Sequence, residues 1–165
     1  MAARLAKLLM VASLAAFALI VTFDNVVDYG SNYVFVQHVL AMDTVFPDNA
    51  LKYRAITDPR LWTLAYCAII AVEGATCVLL VAGAMALGRA LRADAATFER
   101  AKRLTVIGVT AAFLLWFVGF MVVGGEWFAM WQSKIWNGQE AAFRFYMTAL
   151  AVLVFVNQAD RETAR

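Results

Sequence analysis

The sequence predicts an all-α membrane protein with four transmembrane helices, both termini cytoplasmic, and an interfacial or re-entrant helix in the first outer loop. Three observations predict it. The 165 residues are 64% hydrophobic with a mean hydropathy of +0.72, far more apolar surface than one soluble core of this size buries. Four apolar stretches approach the roughly 20 residues a spanning helix needs, and helices are required because lipid cannot hydrogen-bond backbone N–H and C=O groups. Lys and Arg divide unequally between the two faces those spans define. A single domain, 1–165, follows, since the spans leave no room for a soluble one.

The first span, 5–23, rests on the uncharged run Leu8–Phe23 and ends abruptly at Asp24 and Asn25. Leu5 and Ala6 extend it if Lys7 snorkels to the headgroups. Arg4 and Lys7, the apolar run, and the small-x-small triplet Ala16-Phe17-Ala18 imitate a signal peptide, but the segment is read as a retained first helix. The second span, 61–87, carries one charge, Glu73, and follows Asp58-Pro59, a helix cap with proline at the first helical position. The third, 104–125, is uncharged. The fourth, 141–159, spans with Arg144 at the interface, and Asn137 with Glu140 forms a capping pattern ahead of it.

Of the 14 Lys and Arg residues, Arg4, Lys7, Arg89, Arg92, Arg100, Lys102, Arg103, Arg161 and Arg165 lie on the side holding the termini. Lys52, Arg54, Arg60, Lys134 and Arg144 lie opposite. The richer side is placed in the cytoplasm. The basic residues form no stripe and the net charge is only +2, so nucleic acid is not a partner. Cys67 and Cys77 are about 15 Å apart along one helix, beyond disulfide reach, and read as buried thiols.

The two outer segments, 24–60 and 126–140, hold most of the polar and aromatic detail. In the first, Ser31 to Thr44 reads as a helix capped at Ser31 and stopped by Pro47, with Phe35, Val39, Met42 and Phe46 at helical spacing. The second carries Trp127, Trp131 and Trp136, which with Trp62 form an aromatic belt at the outer headgroups. No internal repeat is visible, so an inverted-repeat transporter is not indicated.

Asp24-Asn25-Val26-Val27-Asp28-Tyr29, the run Phe35 to Asp43, and Gly125 to Ser133 continuing through Trp136-Asn137-Gly138 carry a family likeness. On these stretches the chain resembles a bacterial family of predicted small integral membrane proteins, domain of unknown function 2165. The resemblance implies a bacterial inner membrane and brings no activity or catalytic residues.

Glu73, near the centre of its span, is the sharpest site residue: intramembrane acids often serve ion or proton paths, and otherwise hydrogen-bond a neighbouring helix as the neutral acid. Small neighbours Ala71, Gly74 and Ala75 permit such contact. His38, the sole histidine, would share a helical face with Met42; one imidazole is a weak metal or haem signal, and a hydrogen-bonding role in the outer segment is favoured. Asp24, Asn25, Asp28, Asn32, Asp43, Arg54, Glu126, Gln132 and Asn137 map to the outer face, as a ligand site or as loop packing in which Arg54 pairs with Asp28 or Glu126. Trp127 and Trp131 join them as interaction residues.

No phosphate loop, nucleophile elbow, Cys-x-x-Cys or His-Glu-x-x-His is present, so hydrolytic or nucleotide chemistry has no visible machinery. Only His38, Asp43 and Glu126 could serve an enzyme as acid and base. The sequence therefore points first to a non-catalytic accessory subunit of a larger respiratory or transport complex, or a homo-oligomer. Its helices would pack through small-x-x-x-small pairs such as Ala71/Ala75, Ala82/Ala86 and Gly108/Ala112. The second expectation is binding or transport of a cation, lipid or quinone through Glu73 and the outer cluster. No metal or resident cofactor is predicted, and room is left for a bound lipid or quinone.

Overall fold

Four helices long and apolar enough to cross a bilayer occur among residues 1–160, which the computed structural model describes. Arg161 and Arg165, both counted on the basic side, lie outside the described residues. Helix α1 (Ala2–Val27) runs past the apolar stretch, so Asp24 and Asn25 sit inside its last turn rather than ending it. After a break at Asp28, α2 (Tyr29–Ala41) follows directly. Helix α3 (Pro59–Arg89) starts where Asp58-Pro59 predicts, with the Asp58 carboxylate accepting a 2.9 Å hydrogen bond from the Arg60 amide. A short α4 (Ala95–Ala101) occupies the basic connection, capped by Asp94, whose carboxylate accepts from Thr97 N at 2.7 Å. Helix α5 (Arg103–Leu114) continues as a π-helical segment (Leu115–Trp127), and α6 (Gln139–Asn157) completes the bundle.

Two expected caps differ. Helix α2 starts at Tyr29, not at Ser31, because Asp28 already receives the Ser31 hydroxyl at 2.7 Å, and it ends at Met42, whose φ of 51° breaks the helix before Pro47 is reached. At α6, Asn137 accepts from Gln139 N at 3.1 Å, but Glu140 turns forward to Arg144 instead of back, so no reciprocal capping box forms. The first outer segment adds a 3₁₀ turn at Lys52–Arg54 and the second one at Met130–Gln132.

Helix α1 packs along α3, α3 along α5, and α5 along α6, while α1 and α6 touch sparingly. Helices α3 and α5 approach closely: a Cβ on Gly83 would lie 2.5 Å from Thr105 Oγ1 and 2.8 Å from its backbone N. Gly108 packs on Leu79 and Leu80 from the other side. The pair Gly108/Ala112 is thus engaged within the chain, whereas Ala71 and Ala75 face outward.

The apolar core is split in two. Val11, Leu80, Leu87, Phe98, Val109 and Val156 fill the half next to the termini, and Val36, Leu40, Met42, Tyr66, Phe128 and Met130 fill the opposite half. Cys77 is buried but Cys67 is exposed; ten residues fall about 80° short of three full turns, so the two thiols take different faces.

Charged residues clasp the termini. The Arg4 Nε donates to Asp160 at 2.8 Å and its Nη1 to the carbonyls of Leu91 (3.1 Å) and Ala93 (2.6 Å), with the guanidinium over the Phe98 ring. Lys7 does not snorkel. It is buried, with its ammonium on the Gln158 carbonyl just beyond the C-terminus of α6, where Lys102 also donates. That carbonyl is left unsatisfied by the helix and attracts cations. The Arg4 hydrogen bond holds the Asp160 carboxyl below its ordinary range, and the Thr97 amide and hydroxyl do the same for Asp94.

Candidate functional site

Between the two apolar clusters lies a polar one, centred on Glu73. Glu73 stands 14 residues into α3, about 21 Å from its start at 1.5 Å per residue. It is buried, at 4% exposure. A carboxylate at such a depth costs about 2.5–3.5 kcal/mol even on the mildest scale, so its partners matter. The partner is Asn25 of α1, whose Nδ2 donates to Glu73 Oε2 at 2.7 Å. Asn25 is the hub of the cluster: its Oδ1 accepts from Asn32 Nδ2 at 2.6 Å and from the Tyr66 hydroxyl at 3.1 Å.

Local structure explains the convergence. Because α1 continues through Asp24 and Asn25, adjacent residues point about 100° apart, so Asp24 is exposed and Asn25 is buried. The break at Asp28 lets α2 leave α1 and cross the mouth of the bundle, with Tyr29 and Tyr33 against Tyr66 of α3 and Phe35 6.2 Å from Phe120 of the π segment. Asn32, seven residues after Asn25, is thereby returned to it.

The cluster borders a cavity of about 290 Å³, otherwise apolar, with Phe35, Trp116, Phe120 and Phe145 among its walls. On the other side of Glu73 is a small void of about 30 Å³ bordered by Thr76, whose hydroxyl is buried without a hydrogen-bond partner among the described residues. That space admits one water molecule or one ligand hydroxyl. Phe17 and Phe145, 4.9 Å apart, close the sparse α1–α6 seam at this depth.

The π segment supplies a wall. Its i→i+5 hydrogen bonding keeps residues four apart nearly in line, which stacks Leu115, Gly119 and Val123 beside Trp116, Phe120 and Gly124. Gly119, Gly124 and Gly125 with Val118, Val122 and Val123 weaken the α-helical alternative there.

The remaining residues singled out in the sequence build the outer cap. His38 Nδ1 is 2.7 Å from Asp43 Oδ2, and its ring stacks on Trp136 at 4.6 Å and 12°. It does not share a face with Met42, which is 2% exposed beyond the helix end. The Gln132 carbonyl accepts from Asn49 Nδ2 (2.8 Å) and Phe46 N (3.0 Å), and Trp131 sits edge-on to Phe46. Arg54 lies over the Trp127 ring at 4.3 Å and donates to the Trp127 carbonyl; it pairs with neither Asp28 nor Glu126, because the indole face and a free carbonyl already hold it. Asp24 and Glu126 are exposed and make no side-chain hydrogen bond among the described residues. Glu126 does not join His38 and Asp43, and no cluster of three His, Cys, Asp or Glu able to hold a metal occurs among the described residues.

Structure therefore brings Glu73 together with Asn32 through Asn25. Tyr66 and Thr76 escaped the sequence reading, since a Tyr or Thr inside an apolar helix carries no signal of what it faces.

The arrangement is that of an integral membrane protein with four helices able to span a bilayer, a buried polar cluster between its two apolar cores and an ordered cap. The family model of predicted small integral membrane proteins, domain of unknown function 2165, matches residues 3–159, and the chain belongs to that family. No curated protein and no solved structure matches it.

Proposed function

We propose that this protein binds a lipid-soluble small molecule inside its bundle, at the cavity bordered by Asn25, Asn32, Tyr66 and Glu73. One observation carries the reading: four hydrogen-bonding side chains from three helices converge on a cavity of about 290 Å³ whose other walls are apolar. An apolar pocket with a few convergent polar groups is the usual form of a small-molecule site. Buried polar groups within a membrane are costly, and here they border open space rather than being packed away.

The basic end is assigned to the cytoplasm and the capped end to the outside of a bacterial inner membrane, from the distribution of Lys and Arg and the family resemblance. Topology reporters fused to either terminus test that assignment. Binding is tested by native mass spectrometry after extraction in mild detergent. Wild type is expected to carry a small-molecule mass that Glu73→Leu loses. Protein free of any such mass refutes binding, and a larger protein retained at fixed stoichiometry in its place supports the accessory-subunit role, for which outward-facing Ala71 and Ala75 are available.

A further inference from the structure

We propose that the ligand is a flat, uncharged ring bearing hydrogen-bonding oxygens and an apolar tail, the chemistry of a prenylated quinone or quinol. The ring lies beside Glu73 and Asn32, and the tail lies in an adjoining chamber. The proposal rests on the cavity being a binding site and adds what it takes.

The chamber is the first reason. It measures about 210 Å³, and its walls include Leu40, Val123, Phe128 and Met130. It shares Phe35, Val36, Ile69 and Phe120 with the polar cavity, so the two adjoin along those side chains. A ligand with one polar end and one apolar end matches that pair.

Charge is the second. No Lys, Arg or His lines the polar cavity or the void beyond Glu73, so an anionic headgroup would sit there without a counter-charge. A cationic headgroup would require an ionised Glu73 at mid-bilayer, desolvating two charges at once. A neutral oxygen needs neither. Asn32, one N–H of which is engaged by Asn25, retains a second donor, and a neutral Glu73 carboxyl offers another.

Shape is the third. Phe35, Tyr66, Trp116, Phe120 and Phe145 line the polar cavity, and ring faces favour a flat partner. The unpartnered, buried Thr76 hydroxyl beyond Glu73 is an independent polar group still open to a ligand oxygen or its water.

Gly119 makes the test clean. It borders the tail chamber, and a Cβ added there meets nothing within 4 Å, so Gly119→Leu adds bulk at the chamber wall without a clash at Cβ. The full-length protein in phosphatidylcholine nanodiscs is titrated with a decyl-substituted benzoquinone and with the same ring lacking the tail. Concentrations are taken within the bilayer, and tryptophan quenching is the readout, with Trp116→Phe identifying the cavity signal. Wild type is expected to bind the decyl ring saturably and about tenfold more tightly than the bare ring. In Gly119→Leu the bare ring should bind as before, which reports intact folding, while the preference for the decyl compound falls to about threefold or less.

Absence of saturable quenching by the decyl ring overturns the proposal, as does an unchanged preference in Gly119→Leu. Equal binding of decanoate or decylamine overturns the uncharged ring. A small-molecule mass retained by native extraction alongside any of these results leaves the binding site standing and removes only its quinone assignment; no retained mass and no probe binding removes both.

Discussion

Asn25→Leu tests the polar cluster at its hub. The Asn25 side chain makes three hydrogen bonds, to Glu73 (2.7 Å), Asn32 (2.6 Å) and Tyr66 (3.1 Å). Interhelical hydrogen bonds in membranes average about 0.6 kcal/mol each, which sets a floor near 2 kcal/mol for losing all three. An orphaned buried group adds to this: Glu73 loses its partner, whereas the Tyr66 hydroxyl keeps the Asn25 backbone carbonyl at 3.3 Å, and about 1–3 kcal/mol per unsatisfied group is the general range. Part of it is relieved because the cavity lies alongside, so the expected destabilisation is about 2–4 kcal/mol. Glu73→Leu behaves differently. It breaks one bond only and removes the group least suited to lipid, so stability should stay within about 1 kcal/mol of wild type. The double variant should be more stable than Asn25→Leu alone, because the orphaned carboxyl is gone. Equilibrium unfolding in mixed micelles, followed by circular dichroism, measures all three. A loss below about 0.5 kcal/mol for Asn25→Leu, or a larger loss for Glu73→Leu than for Asn25→Leu, refutes the hub.

Gly83→Val should destabilise by about 1–3 kcal/mol or more, since its Cβ would collide with the Thr105 backbone, while Gly119→Ala should be near neutral; thermal unfolding in detergent compares them. Trp136→Ala removes the stack on His38 and should raise hydrogen exchange in residues 36–46 while leaving α3 and α5 protected. The clasp at the termini should weaken in acid. The folded Asp160 carboxyl lies below its ordinary range, so its contribution is complete above the unfolded value of about 3.9 and is lost as pH falls through the folded one. Proteolytic release of the C-terminus against pH measures this, and Asp160→Asn should be equally susceptible across that window.

Features decided within a single stretch of chain were legible in the sequence. Asp58-Pro59 marks the start of α3 because capping needs only the neighbouring amide, and the four spans follow from run length alone. The ends were less so. Snorkelling was expected of Lys7, yet a helix-end carbonyl 151 residues away captures it, and nothing local announces that partner. Glu73 was legible as a costly residue, but its partner lies 48 positions off in what reads as the terminus of another helix. The π geometry of Leu115–Trp127 was hidden for a different reason: a stretch this uniformly apolar has no polar face from which a period can be read.

The elaborate outer segments acquire a different meaning from the one their polarity suggests. Gln132 and Asn49, His38 and Asp43, Arg54 and Trp127, and Thr44 and Ser133 pair with one another or with nearby backbone. Each of these contacts except His38–Asp43 joins the first outer segment to the second, and the stack of His38 on Trp136 completes the set. Their inward neighbours Phe35, Leu40, Phe128 and Met130 wall the apolar chamber. The cap is thus a roof held together by its own polar residues, and the chemistry lies beneath it. If so, loosening the roof should act on the cavity at a distance. Gln132→Ala removes the acceptor of both Phe46 N and Asn49 and lines neither cavity, so it should speed release of a bound molecule without altering the Asn25 hub. An unchanged release rate, measured by dilution of the loaded protein, would mean that the cap and the cavity are independent.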